Sequence, residues 1–289
     1  MLTFLKLKTG DSMIYDKTTK LADSLIQHGN YNDRVYLMKL SEKDNKQNTI
    51  EKIIHLAQQK NYGKVFAKVN AKDSKILKQY DFECEAKIPG FFKGKEGSEF
   101  HSLFLCKDRK MDNFEAIQEN LNLALQKQHE SQKCSNFKIV ELSKENVKNI
   151  TEVYSKVFKT YPFPIFDKEF VLDSLDSHVR IFGIVENNQI MALSSCEIDY
   201  ESKNVEMTDF ATLPGQRTKG FAQALLIRME EEMKKAGIKT AYTIARALSP
   251  GMNITFSKCH YSFGGTLKKN TNISGGIESM NVWYKKLLE

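Results

Sequence analysis

Two carboxylates and a glycine-bearing basic turn lie close together in one stretch of this 289-residue chain. Glu206 and Asp209 belong to an apolar segment typical of a strand, which leads through a turn to a helical pattern. Unpaired backbone N–H groups at a helix N-terminus attract phosphate oxygens, and Gly220 lets the chain approach a ligand without a Cβ. A carboxylate can remove a proton from an amine. The segment therefore predicts an enzyme that holds a diphosphate beside an amine-deprotonating site.

A helical pattern follows the turn. From Thr218 onward, apolar residues recur at spacings of three and four, with acidic and basic residues on the opposite face. Gly237 is placed to end this helix. Arg217 and Lys219 add mobile positive charge at its beginning. The alternative interpretation is an ordinary strand, a solvated basic turn and a surface helix that bind no ligand.

The segments upstream of Glu206 indicate an α/β fold. A polar stretch at 126–136 is almost free of large apolar residues and is typical of a linker. After the linker, the patterns predict a strand at 137–141, a helix at 144–158 and a short helix near Asp167. Three more strands are predicted at 179–185, 189–199 and 205–212. Because polar turns join the last three strands, we expect an antiparallel meander.

The N-terminal half repeats this order in a weaker form. Strands and helices alternate at 35–40, 48–60, 65–69, 74–80 and 83–88, which parallels residues 205–268 and predicts a duplicated fold. Its first turn, 41–49, contains no glycine, so we expect no cofactor there. We predict a supporting domain at 1–125, a linker at 126–136 and a catalytic domain at 137–289. The supporting domain could cover the substrate cleft, form a homodimer contact or only stabilise the other half.

The turn and its flanking strands resemble a known motif. Arg217, Gly220 and Ala222 are spaced as R-x-x-G-x-A, and a strand at 238–244 follows the helix. This arrangement resembles the acetyl-CoA motif of the GCN5-related N-acetyltransferases (GNAT). Further segments are similar to one group of these enzymes, the β-lysine N-acetyltransferases: 31–40, 64–69, 85–94, 245–256, 264–267, 270–274 and 278–284. The resemblance thus spans nearly the whole chain.

The resemblance implies a fold and a cosubstrate. The C-terminal half would have a mixed, mainly antiparallel sheet flanked by helices, and the N-terminal half would be a smaller, degenerate α/β domain of the same type. The cosubstrate would be acetyl-CoA. The positions implied to hold it are Ala211, Thr212, Leu213, Gln216, Arg217, Thr218, Lys219, Gly220, Phe221, Ala222, Asn253, Phe256 and Lys258.

The implied reaction is that of an acyltransferase (EC 2.3.1). An acetyl group would pass from acetyl-CoA to the terminal amine of a small diamino acid, first of all β-lysine, to give the compatible solute N6-acetyl-β-lysine. We expect direct transfer in a ternary complex, since neither Cys196 nor Cys259 has a recognisable histidine and acid partner. Alternative functions are acetylation of a polyamine, an aminoglycoside or a protein, and non-catalytic sensing of acetyl-CoA.

The acceptor amine must lose a proton before it attacks, because a lysine-type ammonium has a pKa of about 10.4. We assign proton removal to Glu206 and amine contact to Asp209, with the reverse assignment equally open. Strand side chains alternate between faces, so both carboxylates can point into one cleft only if the strand contains a bulge.

Neighbouring charges would recognise the rest of the acceptor. Glu197, Asp199 and Glu201 precede the two carboxylates and form an acidic patch suited to a cationic substrate; the alternative is a solvated hairpin face. We expect Glu197 to bind an amine. Arg246 is the candidate for the substrate carboxylate, on position alone.

Two further groups are implied by the resemblance. Backbone N–H groups from Ala211 to Leu213 would stabilise charge on the reacting carbonyl oxygen. The tyrosine that many relatives use to protonate the departing thiolate is replaced by Phe256. This leaves Tyr261, Tyr284 or water as the proton donor.

Composition sets the remaining expectations. Lys and Arg number 43 against 36 Asp and Glu, but they are scattered and form no basic stripe, which argues against a nucleic-acid partner. Five cysteines without a C-x-x-C pair predict a reducing, cytoplasmic location. The six histidines are not spaced as metal ligands and the cysteines do not join them, so we expect no metal site. Residues 1–15 lack the apolar core of a signal peptide, and no segment is long enough to span a membrane.

Overall fold

The computed structural model describes residues 15–130 and 137–288. Within them, thirteen strands form one continuous mixed sheet. The strands are β1 (Lys17–Leu21), β2 (Ser24–Gly29), β3 (Arg34–Lys39), β4 (Lys64–Asn70), β5 (Glu83–Phe92), β6 (Glu96–Phe104), β7 (Ile139–Leu142), β8 (Val179–Glu186), β9 (Gln189–Asp199), β10 (Asn204–Thr212), β11 (Thr240–Arg246), β12 (Ser262–Ile273) and β13 (Gly276–Lys286). The α-helices are α1 (Lys46–Gln59), α2 (Ser74–Lys78), α3 (Phe114–Gln126), α4 (Val147–Val157), α5 (Lys168–Leu175), α6 (Phe221–Lys235) and α7 (Pro250–Lys258).

Both halves of the chain repeat one pairing pattern. In the N-terminal half, β3 runs parallel to β4, β4 pairs antiparallel with β6, and β6 pairs with β5. In the C-terminal half, β10 runs parallel to β11, β11 pairs antiparallel with β13, and β13 pairs with β12. The repeated order predicted from the sequence is therefore matched by repeated strand pairing. The domain boundaries themselves stay a prediction.

Most predicted elements are present, and several strands were missed. The meander is confirmed, since β8, β9 and β10 pair antiparallel in sequence order. The β1–β2 hairpin and β6 were not predicted. The predicted linker begins inside a helical region, because α3 ends at Gln126 and a short 3₁₀ helix covers Lys127–His129.

Some expectations fall outside the described ranges. These include the absence of a signal peptide, which concerns residues 1–14, and the rest of the linker at 131–136. Cys134 is also outside, whereas Cys84, Cys106, Cys196 and Cys259 are free thiols. No helix in the described ranges has both the length and the apolar character to cross a membrane.

The two halves meet where β5 lies beside β12. Only Ala86 and Gly265 are aligned across this seam. A Cβ on Gly265 would lie 2.1 Å from the Glu85 carbonyl oxygen, and the residue has φ of +140°, so a side chain would push the strands apart. Buried ions complete the seam: Lys64 Nζ contacts Glu85 at 2.9 Å and donates to the Lys268 carbonyl oxygen at 2.7 Å. The seam therefore depends on glycine and on polar side chains more than on backbone pairing.

The core is arranged in two clusters. Val65 and Ala67 on β4 pack with the residues beneath α1 in the smaller cluster. Phe66 on the same strand belongs to the larger cluster, which continues through the C-terminal half. Because successive strand residues face opposite sides, one face of the N-terminal sheet packs against its own helix and the other against the C-terminal half.

Candidate active site

A cleft opens where β10 and β11 separate. The two strands are paired only from Asn204 to Glu206 on β10, although β10 continues to Thr212 and β11 to Arg246. Beyond Glu206, the edge of β10 that faces β11 therefore has no strand partner. Backbone N–H and C=O groups on such an edge need another partner, and an extended ligand can provide it. The cleft begins beside Glu206.

A β-bulge turns the second carboxylate into this region. Thr208 is aligned with Ser195, but the next aligned residue is Ala211, so the register of β10 against β9 shifts between them. Asp209 lies in the bulge with φ of +54°, in the left-handed region that Asp tolerates better than most residues. The bulge that the sequence required for a shared cleft is present.

The predicted acidic patch divides into a buried part and an exposed part. Glu197 is aligned with Glu206 across β9 and β10, so the two side chains share one face, and both are partly buried. Asp199 and Glu201 are exposed, and Glu201 forms a surface ion pair with Lys39 at 3.2 Å. The solvated hairpin face thus describes the exposed pair only.

Burial changes the acidity of the two inner glutamates. It raises the pKa of Glu197 well above its usual value, and the charges of Glu206 and Asp209 add to this effect. Burial also raises the pKa of Glu206 to about 7, against the opposing effects of the Lys68 charge and a hydrogen bond with Tyr242. A carboxylate with a pKa near neutrality is a better proton acceptor than an ordinary glutamate.

Asp209 is held by hydroxyl groups. The Tyr161 and Ser195 hydroxyls each donate to one of its carboxylate oxygens, and Thr208 Oγ1 lies 3.3 Å from one of them. Burial raises the pKa of Asp209, and these hydrogen bonds oppose the rise. Because its oxygens are already occupied, Asp209 is better suited to fixing the bulge and contacting an amine than to accepting a proton. Glu206 is the better base.

The N-terminal half also reaches this site. Lys68 Nζ lies 5.5 Å from the centre of the Phe91 ring, and that ring lies 5.2 Å from the ring of Tyr242, the aligned neighbour of Glu206. Sequence reasoning missed Lys68, Tyr161 and Tyr242. Nothing in their local patterns distinguishes them from packing residues.

The turn before α6 fits an anion. Gly215, Thr218 and Gly220 have φ of +83°, +70° and +86°, and left-handed residues in a turn aim backbone N–H groups into a concavity. Gly220 precedes the helix and provides no side-chain cap, so the N–H groups of the first helical turn receive no bond from it. A Cβ at Gly215 or Gly220 would meet no atom within 4 Å. The space in front of the turn is open.

The side chains of this turn face solvent. Arg217, Thr218 and Lys219 are exposed, and Lys219 Nζ donates to Gln216 Oε1 at 2.6 Å. Phe221 is buried and packs edge-to-face on Phe137 at 4.8 Å. The residues present thus fit the diphosphate of acetyl-CoA through backbone N–H groups and mobile cations, with Phe221 anchoring the helix.

Of the three predicted cofactor contacts on α7, two are fully buried and the third has a salt-bridge partner. Asn253 is fully buried: it donates to the carbonyl oxygens of Arg246 and Ser249, and its Oδ1 accepts bonds from Asn281 and Trp283. The Phe256 ring is also fully buried. Both side chains hold the core together, because no surface remains for a ligand to touch. Lys258 is engaged by Glu130 at 2.6 Å.

Arg246 already has a carboxylate partner. Its guanidinium forms a two-pronged bond with Glu278, at 2.8 and 2.7 Å. Such bidentate pairs are strong and directional. The carboxylate-binding role of Arg246 stays a prediction, with Glu278 as a competing partner.

Of the three backbone N–H groups predicted to bind the reacting carbonyl oxygen, only one faces the open edge of β10. The Leu213 N–H donates to the Met191 carbonyl oxygen at 3.0 Å, so it is used inside the sheet. Ala211 is aligned with Leu193 and points its N–H the same way, since donor direction alternates along a strand. Thr212 alone of the three directs its N–H toward the open edge.

The two tyrosines considered as proton donors differ. Tyr261 is fully buried against Phe256, and burial beside Glu230 holds its pKa well above the usual value, so its hydroxyl is a poor proton donor. Tyr284 is partly exposed and lines a cavity of about 400 Å³ at the β5–β12 seam, together with Lys87 and Phe263. This cavity is lined by residues of the seam and by none of the acidic cluster.

One group of metal-ligand residues forms despite the sequence expectation. Antiparallel pairing places Cys84 opposite His101, and Glu99 lies two residues before His101, so that their ligand atoms are within 4.8 Å of one another. Glu99 already contacts His101 Nε2 and Lys87 Nζ, each at 2.9 Å. These contacts account for the group without an ion.

Comparison with known proteins gives a consistent result. Residues 145–251 match the family model described as "Acetyltransferase (GNAT) family". A β-lysine N(6)-acetyltransferase of Methanococcus maripaludis is 37% identical over 273 residues, covering 93% of this chain and 98% of that protein. Its counterpart in Methanosarcina mazei is 35% identical over 138 residues, 48% of this chain and 51% of that protein. The N-acetyltransferase YodP of Bacillus subtilis is 25% identical over 266 residues, with 91% and 96% covered.

Proposed function

The chain belongs to the GNAT family of acetyltransferases, and we propose that it transfers an acetyl group from acetyl-CoA to the terminal amine of β-lysine. The similarity to a β-lysine N(6)-acetyltransferase over nearly the full length of both proteins supports this acceptor. One structural observation carries the chemistry: the strands diverge at Glu206, so a partly buried carboxylate with a pKa of about 7 lies at the start of a cleft that leads to a turn suited to an anion.

Each residue of the site has a role in this proposal. Acetyl-CoA, when bound, supplies the thioester carbonyl that the amine attacks. The turn from Gly215 to Gly220 holds the diphosphate through backbone N–H groups. Glu206 accepts the proton of the acceptor ammonium, and the Thr212 N–H stabilises charge on the carbonyl oxygen. Asp209, fixed by its hydroxyl partners, contacts the amine.

Two further assignments complete the proposal. Glu197 pairs with the second ammonium of the acceptor, because it shares the face of Glu206. We assign the proton for the departing thiolate to water, since Tyr261 is fully buried and its pKa is raised well above the usual value. No covalent acyl-enzyme is required: burial raises the pKa of Cys196 above its usual range and that of Cys259 to about 12, which makes both thiols poor nucleophiles.

We also propose the domain division given by the sequence, with a supporting domain at 1–125 and a catalytic domain at 137–289. The contacts of Phe91 and Lys68 near Glu206 support a role for the first domain in covering the substrate cleft. A homodimer contact remains a separate prediction.

An amine panel tests the proposed function. Purified protein is incubated with acetyl-CoA and β-lysine, lysine, spermidine or an aminoglycoside, and free thiol and product mass are measured. We expect the highest kcat/KM with β-lysine and acetylation at its terminal amine. Strong turnover of spermidine with none of β-lysine would contradict the acceptor, and binding of acetyl-CoA without turnover of any amine would favour the sensor.

A further inference from the structure

Lys68 brings a positive charge from the N-terminal half into the acid-lined cleft. It is partly buried, and its Nζ lies over the Phe91 ring at 5.5 Å. Among the described residues, Lys68 forms no ion pair within 4.0 Å. Burial lowers its pKa, but the nearby Tyr36, Glu206 and Asp199 raise it to above its usual value, so the side chain is charged at neutral pH.

Bonds between the two halves fix this position. The end of β5 crosses the beginning of β10 and β11: Asn204 Nδ2 donates to the Phe91 carbonyl oxygen at 3.1 Å, and Thr240 Oγ1 donates to the Gly90 carbonyl oxygen at 2.7 Å. Phe91 is 2% exposed and packs on Tyr242. Lys68 therefore lies on a well-packed surface beside the acidic cluster, and its location does not depend on a loop.

The charges of the acceptor require such a cation. β-Lysine carries two amines and one carboxylate, whereas Glu197, Glu206 and Asp209 are acidic groups and provide no positive charge. A carboxylate that enters a partly buried acidic cleft without a cationic partner loses hydration and is repelled, which costs binding energy. Arg246 is already paired with Glu278 through Nε and Nη2, so a substrate carboxylate would have to share it.

We propose that Lys68 pairs with the carboxylate of the acceptor and thereby selects a diamino acid over a diamine. This inference rests on the proposed function and adds a specificity residue from the half of the chain that lacks the cofactor turn. The acceptor then lies with its carboxylate toward β4 and its terminal amine toward Glu206. The N-terminal half is part of the substrate site and more than a support.

The test compares two acceptors that differ only in the carboxylate charge with which Lys68 is proposed to pair. One is β-lysine, and the other is its primary amide, 3,6-diaminohexanamide, which keeps both amines. Wild-type protein should prefer β-lysine. In Lys68→Met, KM for β-lysine should rise about 10- to 100-fold with a smaller change in kcat, because a hydrogen bond to a charged group is lost. KM for the amide should stay within about twofold of wild type.

Controls separate this role from folding and from an effect on the base. Lys75→Met removes an exposed lysine of the same half and should leave both acceptors unaffected. Turnover of the amide by Lys68→Met shows that the variant is folded. If Lys68→Met does not fold, Lys68→Arg and Lys68→Gln are compared instead by the ratio of kcat/KM for β-lysine to kcat/KM for the amide. The Arg variant should retain the preference for β-lysine, and the Gln variant should lose it. Equal losses for both acceptors, accompanied by a shifted pH profile, would overturn the proposal, because Lys68 would then act on Glu206.

Failure of the two proposals can be distinguished. If wild-type protein acetylates neither acceptor but acetylates another amine, the proposed function fails and the role of Lys68 fails with it. If wild type acetylates β-lysine and the Lys68 variants keep the same ratio between acid and amide, only the carboxylate role is overturned.

Discussion

The two halves of the molecule share one strand pairing and differ at the connection between its parallel strands. In the N-terminal half, β3 and β4 pair over four residues, Arg34–Leu37, and also continue beyond this pairing, but α1 is capped by Asn45, whose side chain accepts a bond from the Asn48 N–H. In the C-terminal half, β10 and β11 pair over three residues and then separate, and α6 begins after Gly220 without a side-chain cap. The ligand site arises where the second copy leaves backbone groups unsatisfied.

The aligned positions differ in chemistry as well. Tyr36 is the third residue of the β3–β4 pairing, as Glu206 is of the β10–β11 pairing. The N-terminal copy thus has a phenol where the C-terminal copy has its candidate base. The two halves thus share a strand pairing, and a bulge, a carboxylate and an uncapped helix distinguish the half that contains the candidate active site.

Replacing the candidate base should produce the largest effect. Glu206→Gln should lower kcat by about 10²- to 10⁴-fold, the usual contribution of general-base catalysis. The melting temperature should not fall, because a buried ionisable group is removed. Thiol release under saturating acceptor measures kcat, and the exposed Glu201→Gln serves as the control. A Glu206→Gln enzyme that keeps more than a tenth of wild-type kcat would remove Glu206 from the mechanism.

The pH profile should reveal the same group. Because Glu206 accepts a proton only when ionised and has a pKa of about 7, kcat/KM should fall about tenfold for each pH unit below that value. In Glu206→Gln the inflection should move toward the pKa of the amine, about 10.4, since only the free base then reacts. Initial rates from pH 5 to pH 10 provide the measurement. An inflection near 7 that survives in the variant would assign it to another residue.

The uncapped helix should be sensitive to a side chain. Gly220→Val should weaken coenzyme A binding about 10- to 100-fold, because a β-branched residue strains the left-handed backbone and fills the open space before the turn. Titration calorimetry measures the affinity. Gly237→Val is the matched control, since Gly237 also has positive φ, at +76°, and open surroundings. Equal losses of affinity in both variants would mean that strain, and not the anion site, is responsible.

The capped helix of the other half should respond in stability alone. Asn45→Ala should lower the free energy of unfolding by about 1 kcal/mol, the usual cost of losing an N-cap side chain. Coenzyme A affinity should not change. Denaturant unfolding and calorimetry test the two statements. A loss of affinity in Asn45→Ala would show that the N-terminal half has a ligand site of its own, and the contrast between the halves would be lost.

Much of the fold could be predicted from local patterns. Alternation and turn residues gave the β8–β9–β10 meander, and three- and four-residue spacing gave α6, because these periodicities follow from backbone geometry. Glu206 and Asp209, the candidate base and amine contact on β10, could also be found from the sequence. The need for a bulge between them followed from strand alternation alone. Missed elements such as β6 and the β1–β2 hairpin lack an equally clear pattern.

By itself, the sequence determined the type of the elements that it predicted, and it marked the turn at Gly220 and the carboxylates that precede it as candidates. Only the tertiary structure decided that Asn253 is a buried core residue, that the Leu213 N–H is used within the sheet, and that Lys68 lies near Glu206. The physical reason is that element type depends on neighbours in the chain, whereas burial, hydrogen-bond partners and charge environment depend on segments that meet only when the two halves pack.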